Sequence, residues 1–138
     1  RPVFTCNNSR GPMKYLHAIM TLLFVVTAVL QFNDPDPLYW VVTYLMVAVV
    51  AGAAFMGRHW MTLSTIAIGM SLAGLLMAVP GTSDYFGSGD YRSITLSMSR
   101  EKPYIESVRE FGGLLVALAY LMIHQIMHRR RKSASSQA

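Results

Sequence analysis

Four apolar runs of membrane-spanning length divide this sequence and limit the folds that it can adopt. They cover about residues 15–32, 38–56, 60–79 and 104–128, and the first three contain no Asp, Glu, Lys or Arg. A helix needs about 20 apolar residues to cross the hydrocarbon core of a bilayer. The chain is also only 14% charged, whereas soluble domains carry about 25%. The sequence therefore predicts an all-α integral membrane protein, built as a four-helix transmembrane bundle.

The distribution of charge predicts the orientation of this bundle. All seven acidic residues lie in the first and third connections or at the start of the last run: Asp34, Asp36, Asp84, Asp90, Glu101, Glu106 and Glu110. Eight of the twelve Lys and Arg residues lie on the other side: Arg1, Arg10, Lys14, Arg58 and Arg129 to Lys132. Cytoplasmic loops carry an excess of Lys and Arg. Both termini are therefore predicted to be cytoplasmic, and a bacterial inner membrane is the expected location.

The ends of the chain and the third connection lie outside the predicted spans. Residues 1–12 show no periodicity, so we expect an upstream translation product, a cloning remnant or a weakly ordered tail. Pro80-Gly81 is predicted to end the third helix, which leaves a polar loop over residues 80–103. Residues 129–138 are predicted to form a basic, disordered cytoplasmic tail held by anionic lipid. The bilayer is the expected partner of this charge, and nucleic acid is not.

The stretch from Gln31 to Trp40 joins the first two runs through Asp34-Pro35-Asp36-Pro37. Proline does not continue a helix interior and pushes the preceding residue toward extended geometry. The stretch is therefore a stiff corner. Two interpretations stay open: a helical hairpin turn at the membrane surface, or a rigid presentation of carboxylates to a ligand or cation.

Small and polar side chains predict which helix faces pack together, since apolar residues carry little positional information in lipid. Each run has one stripe of such residues at helical spacing. The stripes are His17, Thr21, Phe24, Ala28 and Gln31; Trp40, Tyr44, Ala48, Ala51 and Gly52; Ser64, Ala67, Ser71, Gly74 and Ala78; and Glu106, Glu110, Gly113, Ala117, Tyr120, His124 and His128.

Spacing along two of these stripes predicts a polar cluster at the outer end. His17 and Gln31 are fourteen residues apart, as are Glu110 and His124, which corresponds to about 21 Å of helix. If the first and last spans are neighbours, the outer end gathers Gln31, Asn33, Asp34, Asp36, Trp40, Glu106, Arg109 and Glu110. This cluster is either structural, with Arg109 paired to Asp34 or Asp36, or a site for a small ligand or a proton. A third interpretation is a divalent cation on Asp34, Asp36 and Glu110, because such cations prefer oxygen ligands.

The inner end would hold His17 and His124, for which two interpretations stay open. They could bind haem or another metal through two imidazoles, or they could bond only to water and neighbouring hydroxyls. Cys6 is the single cysteine, which rules out an internal disulfide and a cysteine-based metal cage. The sequence has no nucleophile–base arrangement, phosphate-binding loop or zinc-protease motif. No cofactor and no catalytic residue are therefore expected.

Two motifs point to a family. Gln31-x-Asn33-Asp34-Pro35-Asp36-Pro37 followed by Trp40, with Glu110-x-Gly112-Gly113-Leu114 in the last span, resembles the transmembrane protein 220 family over most of the chain from Met13 to about His128. The resemblance implies a small multi-helix integral membrane protein and brings no established catalytic residues. The leading expectation is a non-enzymatic accessory, binding or sensor module with a membrane protein partner or a second copy. A metal- or haem-binding membrane enzyme or redox protein is the alternative, and a small oligomeric transporter is the third.

Overall fold

The computed structural model describes residues 11–33, 37–89 and 103–136, whose regular secondary structure is helical throughout. The four α-helices are α1 (Gly11–Leu30), α2 (Pro37–Phe55), α3 (Met61–Ser88) and α4 (Pro103–Ser135). A single 3-10 turn, Gln31–Asn33, follows α1. All four α-helices are long and apolar enough to cross a membrane. The predicted all-α, four-helix membrane fold is confirmed, while the cytoplasmic location of the termini stays a prediction.

The chain divides into two compact units, the first ending at Leu63 and the second beginning at Ser64. In the first unit, α1 and α2 pack as an antiparallel hairpin. The Lys14 ammonium, near the start of α1, lies 5.0 Å from the ring centroid of Phe55 at the end of α2. Farther along, the rings of Phe24 and Tyr44 stack with centroids 6.1 Å apart. These two contacts fix the register of the hairpin.

Burial along this hairpin follows the predicted stripes. The buried residues of α1 are His17, Phe24 and Ala28, and Gln31 continues the stripe into the 3-10 turn. Most other α1 side chains are exposed apolar groups, such as Ile19 and Leu22, as expected for a lipid-facing surface. The stripe predicted for the first span is therefore confirmed, apart from the partial exposure of Thr21.

Local sequence explains where α2 begins and ends. Pro37 is its first residue, where proline loses no helical hydrogen bond and its fixed φ suits the helix. Beyond Phe55, Gly57 has a φ of 78°, which glycine adopts without steric cost. The Arg58 amide then donates to the Ala53 carbonyl at 2.8 Å, and the Gly57 amide donates to the Ala54 carbonyl at 3.0 Å. This is a Schellman ending, and it ends α2 shortly before α3 begins at Met61.

The second unit contains most of α3 together with α4. The stripe predicted for α3 is buried along its whole length: Ser64, Ala67, Ser71, Gly74 and Ala78. On α4, the residues of the predicted stripe that are buried are Glu110, Ala117, Tyr120 and His124. The rule that small and polar residues mark the packed faces therefore holds for α3. It holds only in part for α4, where Leu114 and Leu121 are also fully buried.

One predicted helix end is wrong, because α3 does not stop at Pro80-Gly81 but continues to Ser88. Proline removes one helical hydrogen bond and crowds the preceding turn. Within a membrane helix this loss is tolerated, since neighbouring groups and local adjustment satisfy the freed carbonyl. The expected polar loop over residues 80–103 therefore begins with two turns of helix. Residues 90–102 lie outside the described part.

The predicted disorder after His128 is also corrected, because α4 runs through the basic residues to Ser135. Arg and Lys are good helix formers, and positive charge near a helix C-terminus complements the helix dipole. At the other end of the chain, α1 begins at Gly11, and residues 1–10 lie outside the described part.

Candidate binding site

Gln31 is the residue of the predicted polar cluster for which the structure gives the most direct evidence. It begins the 3-10 turn after α1, and this turn packs on α2. The side chain is only 7% exposed. Among the described residues, its amide nitrogen Nε2 has no hydrogen-bond partner. A buried donor without a partner costs about 1–3 kcal/mol, so this amide requires a specific explanation.

Trp40 lies in the first turn of α2. Its side chain is 4% exposed, and the neighbouring ring of Tyr39 meets it edge-on with centroids 5.2 Å apart. Gln31 and Trp40 therefore belong to the same end of one hairpin, and both side chains are buried. Their predicted membership of a polar cluster with residues of the last span stays a prediction.

The carboxylates predicted to complete this end lie outside the described residues. Asp34 and Asp36 both fall within the undescribed residues 34–36, and only the backbone of Asn33 is described, as the last residue of the 3-10 turn. The roles of the two aspartates as cation ligands or as partners of Arg109 stay predictions.

In the second unit, Glu106, Arg109 and Glu110 occupy the first two turns of α4. Glu110 is 9% exposed, Glu106 is half-buried and Arg109 is exposed. Glu106 and Glu110 are four residues apart and share one helix face, whereas Arg109 points about 100° away from Glu110. Ionisable residues buried in a membrane helix are costly, which makes Glu110 a candidate functional group. The prediction that Glu110 lies level with Gln31 concerns both units and stays a prediction.

His17 and His124 are buried, with exposures of 7% and 3%. The backbone carbonyl of His17 accepts a hydrogen bond from the Thr21 hydroxyl at 2.8 Å. The His124 ring stacks on the Tyr120 ring at 6.2 Å. The two histidines belong to different units, so their pairing around haem stays a prediction. Within the described ranges, no three His, Cys, Asp or Glu side chains are grouped as a metal site would require.

Three hydrogen bonds between α3 and α4, made by two side chains, were not predicted from the sequence. The Gln125 amide donates to the Ser64 hydroxyl at 3.3 Å and to the Thr65 hydroxyl at 3.1 Å. The Thr82 hydroxyl donates to the backbone carbonyl of Ser107 at 3.3 Å. Gln125 is the single side-chain amide in the last apolar run. Because polar groups in membrane helices usually bond across helices, this residue could have been identified from the sequence as an interhelical contact.

A family model described as transmembrane family 220, helix, matches residues 23–126 of the chain. The match includes the connection from Gln31 to Trp40 and ends two residues after His124. No curated protein and no solved structure is a significant match. The family match covers well over half of the chain.

Proposed function

This chain belongs to transmembrane family 220, whose model spans most of it, and we propose that this multi-pass membrane protein is a non-enzymatic binding module. In this proposal it recognises a membrane protein partner or a small polar ligand through the Gln31 amide. It acts either as an accessory subunit or as a sensor. The chemistry required is hydrogen bonding to an oxygen acceptor, without a covalent step.

One observation carries this proposal: the Gln31 amide is buried but lacks a hydrogen-bond acceptor among the described residues. An unpaired donor is most costly where the dielectric constant is low. An acceptor supplied by a bound molecule removes this cost. A carbonyl or hydroxyl oxygen of a partner helix or of a small ligand has the required chemistry.

The surrounding sequence adds to this proposal. Asp34 and Asp36 follow Gln31 by three and five residues. In this proposal, their carboxylates accept hydrogen bonds from donor groups of the same bound molecule. Trp40, buried at the same end of the hairpin, provides an apolar surface. A molecule that offers both an acceptor and a donor or cation fits this set of side chains.

The experiment compares wild-type protein with Gln31→Met, which keeps the side-chain length and removes the donor. Native mass spectrometry of protein extracted from its own membrane in polymer nanodiscs detects the bound species. We expect wild type to retain it and Gln31→Met to lose it. Once the bound species has been removed, Gln31→Met should exceed wild type by about 1 kcal/mol in the free energy of unfolding, because the variant lacks the unpaired buried donor.

Ser71→Ala is the matched control. The Ser71 hydroxyl is also fully buried and without a hydrogen-bond partner among the described residues, but it lies in the middle of α3. This variant should gain stability in the same way and keep the bound species. A wild-type protein that carries no bound species, or a Gln31→Met protein that retains it, contradicts the proposal.

The proposal also covers orientation and compartment. The concentration of Lys and Arg at the chain ends and at Arg58 supports cytoplasmic termini in a bacterial inner membrane. A reporter fused after Ala138 tests this: a cytoplasmic fluorescent protein should be active there, and a periplasmic phosphatase should not.

A further inference from the structure

The C-terminal part of α4 is longer than a membrane crossing requires. The helix has 33 residues, which corresponds to about 50 Å, whereas the hydrocarbon core of a bilayer is about 30 Å thick. Exposed apolar side chains continue as far as Ile123 and Ile126. The basic run begins three residues after Ile126, so Arg129 to Lys132 fall at the depth of the lipid headgroups.

Helical geometry sorts this end of α4 into distinct faces. Lys132, Ser133 and Ser136 follow Arg129 by three, four and seven residues, and the four side chains line one shallow, open depression on the helix surface, called the groove below. Residues with this spacing lie on the same side of a helix. Arg130 and Arg131 point about 100° and 200° away from Arg129 at 3.6 residues per turn. The groove therefore combines two cations with two hydroxyl groups, and two further cations point elsewhere.

The electrostatics of this groove favour an anion. Arg129 to Lys132 are all exposed, and the sequence contains no Asp or Glu after Glu110. The helix C-terminus contributes only about half a negative charge. Part of that charge is already satisfied, because the Ser135 hydroxyl donates to the Lys132 carbonyl at 2.8 Å and the Ser136 amide donates to it at 3.2 Å.

We propose that the face formed by Arg129, Lys132, Ser133 and Ser136 is a binding site for the phosphate groups of anionic phospholipids in the leaflet where α4 ends. Guanidinium, ammonium and hydroxyl donors are suited to phosphate oxygens. The groove lies at the headgroup end of a helix long and apolar enough to cross a membrane, and this position favours a phospholipid over a soluble anion. This site is separate from Gln31 and does not depend on the function proposed for it.

The test titrates purified full-length protein in neutral detergent with dioleoyl phosphatidylglycerol or dioleoyl phosphatidylcholine and counts bound lipids by native mass spectrometry. Arg129→Gln with Lys132→Gln removes both cations of the groove. Arg130→Gln with Arg131→Gln removes the same charge from the other faces. In this proposal the groove pair contacts the phosphate directly, so we expect about 30-fold weaker phosphatidylglycerol binding without it. The control pair adds only attraction from a distance, which salt screens, so its loss should weaken binding less than about fivefold.

Equal losses for the two pairs would show that only total charge matters and would overturn the proposal. Inorganic phosphate, titrated over the same concentrations, should not displace the lipid; displacement would identify a soluble anion site instead. Ser133→Ala with Ser136→Ala keeps the charge and should still weaken binding several-fold. If the groove pair does not fold, as judged by circular dichroism, this third variant decides the question, and unchanged binding by it overturns the proposal.

Discussion

The two units of this protein hold their helices together by different contacts. In the first unit, α1 and α2 meet through large rings: Phe24 stacks on Tyr44, and Phe55 receives the Lys14 ammonium. In the second unit, α3 and α4 share one pair of rings, Tyr85 and Tyr104, with centroids 6.3 Å apart, and their remaining described contacts are small and polar. They are the Thr82 hydroxyl on the Ser107 carbonyl and the Gln125 amide on the hydroxyls of Ser64 and Thr65.

The two units use different contacts to hold helices together in lipid. In lipid, apolar side chains gain little from burial, so helices associate through van der Waals contact and interhelical hydrogen bonds. Large rings provide contact area at a moderate distance between helices. Small residues let the backbones approach and bring polar groups within hydrogen-bond distance. The second unit should therefore tolerate added volume poorly, and the first should tolerate lost volume poorly.

The largest effect is expected for Gly81→Ala in the second unit. A Cβ atom at Gly81 would overlap the Cβ and Oγ atoms of Ser107, and a Cβ attached to a neighbouring helix cannot move aside without shifting that helix. Overpacking of this kind costs about 1–3 kcal/mol. We expect the upper end, a loss of about 3 kcal/mol in the free energy of unfolding, measured by SDS titration in mixed micelles.

Gly69→Ala is the control for this prediction, because nothing lies within 4 Å of a Cβ at Gly69. It should not destabilise the protein, and the higher helix propensity of Ala should add up to about 1 kcal/mol of stability. Ser107→Gly should restore most of the stability of Gly81→Ala by removing the atoms that clash. If Gly81→Ala is as stable as Gly69→Ala, close approach does not hold the second unit together.

A smaller loss is expected for Phe24→Ala in the first unit. Phe24 is 1% exposed, and removing its ring leaves a cavity beside Tyr44. In water-soluble cores such a change costs about 3–5 kcal/mol. Because transfer from water does not contribute between helices in lipid, we expect about 2 kcal/mol in the same titration. Phe32→Ala, at a side chain that is 67% exposed, should be nearly neutral, and an equal loss for both variants would contradict a ring-based contact.

The smallest effect is expected for Gln125→Leu, which removes the amide bonded to Ser64 and Thr65. Interhelical hydrogen bonds in membranes contribute about 0.6 kcal/mol on average, and up to about 1.7. Two such bonds should together give a loss of about 1 kcal/mol. Thr27→Val removes a bond within α1 only and should leave the association of helices unchanged. A Gln125→Leu protein more stable than wild type would mean that the Gln125 hydrogen bonds do not hold α3 against α4.

Much of the fold could be predicted from the sequence because the bilayer simplifies the pattern. Helix number follows from the lengths of the apolar runs. The packed faces follow from small and polar residues, and Ser64, Ala67, Ser71, Gly74 and Ala78 are all buried as expected. The end of α3 was predicted incorrectly because the penalty for Pro80 was weighed as in water. The helical structure of the basic end of α4 was missed because the prediction considered only the composition of residues 129–138. It did not consider that a long helix leads directly into them.

The candidate site was predicted only in part. Gln31 and Glu110 were identified from polarity within apolar runs, and both are buried. The unpaired state of the Gln31 amide could not be predicted, since it depends on which acceptors the folded chain places nearby. The contact of Gly81 with Ser107 was missed for a similar reason, because the two residues are far apart in the chain and no local pattern links their segments.

Pro80 has a mechanical consequence for α3. Since proline has no N–H, the carbonyl of Leu76 lacks its usual helical donor, which lowers the resistance of the helix to bending at this turn. The contacts of Gly81 and Thr82 with Ser107 of α4 follow immediately after this turn. In a thinner or thicker bilayer, the segment from Gly81 to Ser88 would tilt together with the start of α4, while the remainder of α3 kept its own inclination.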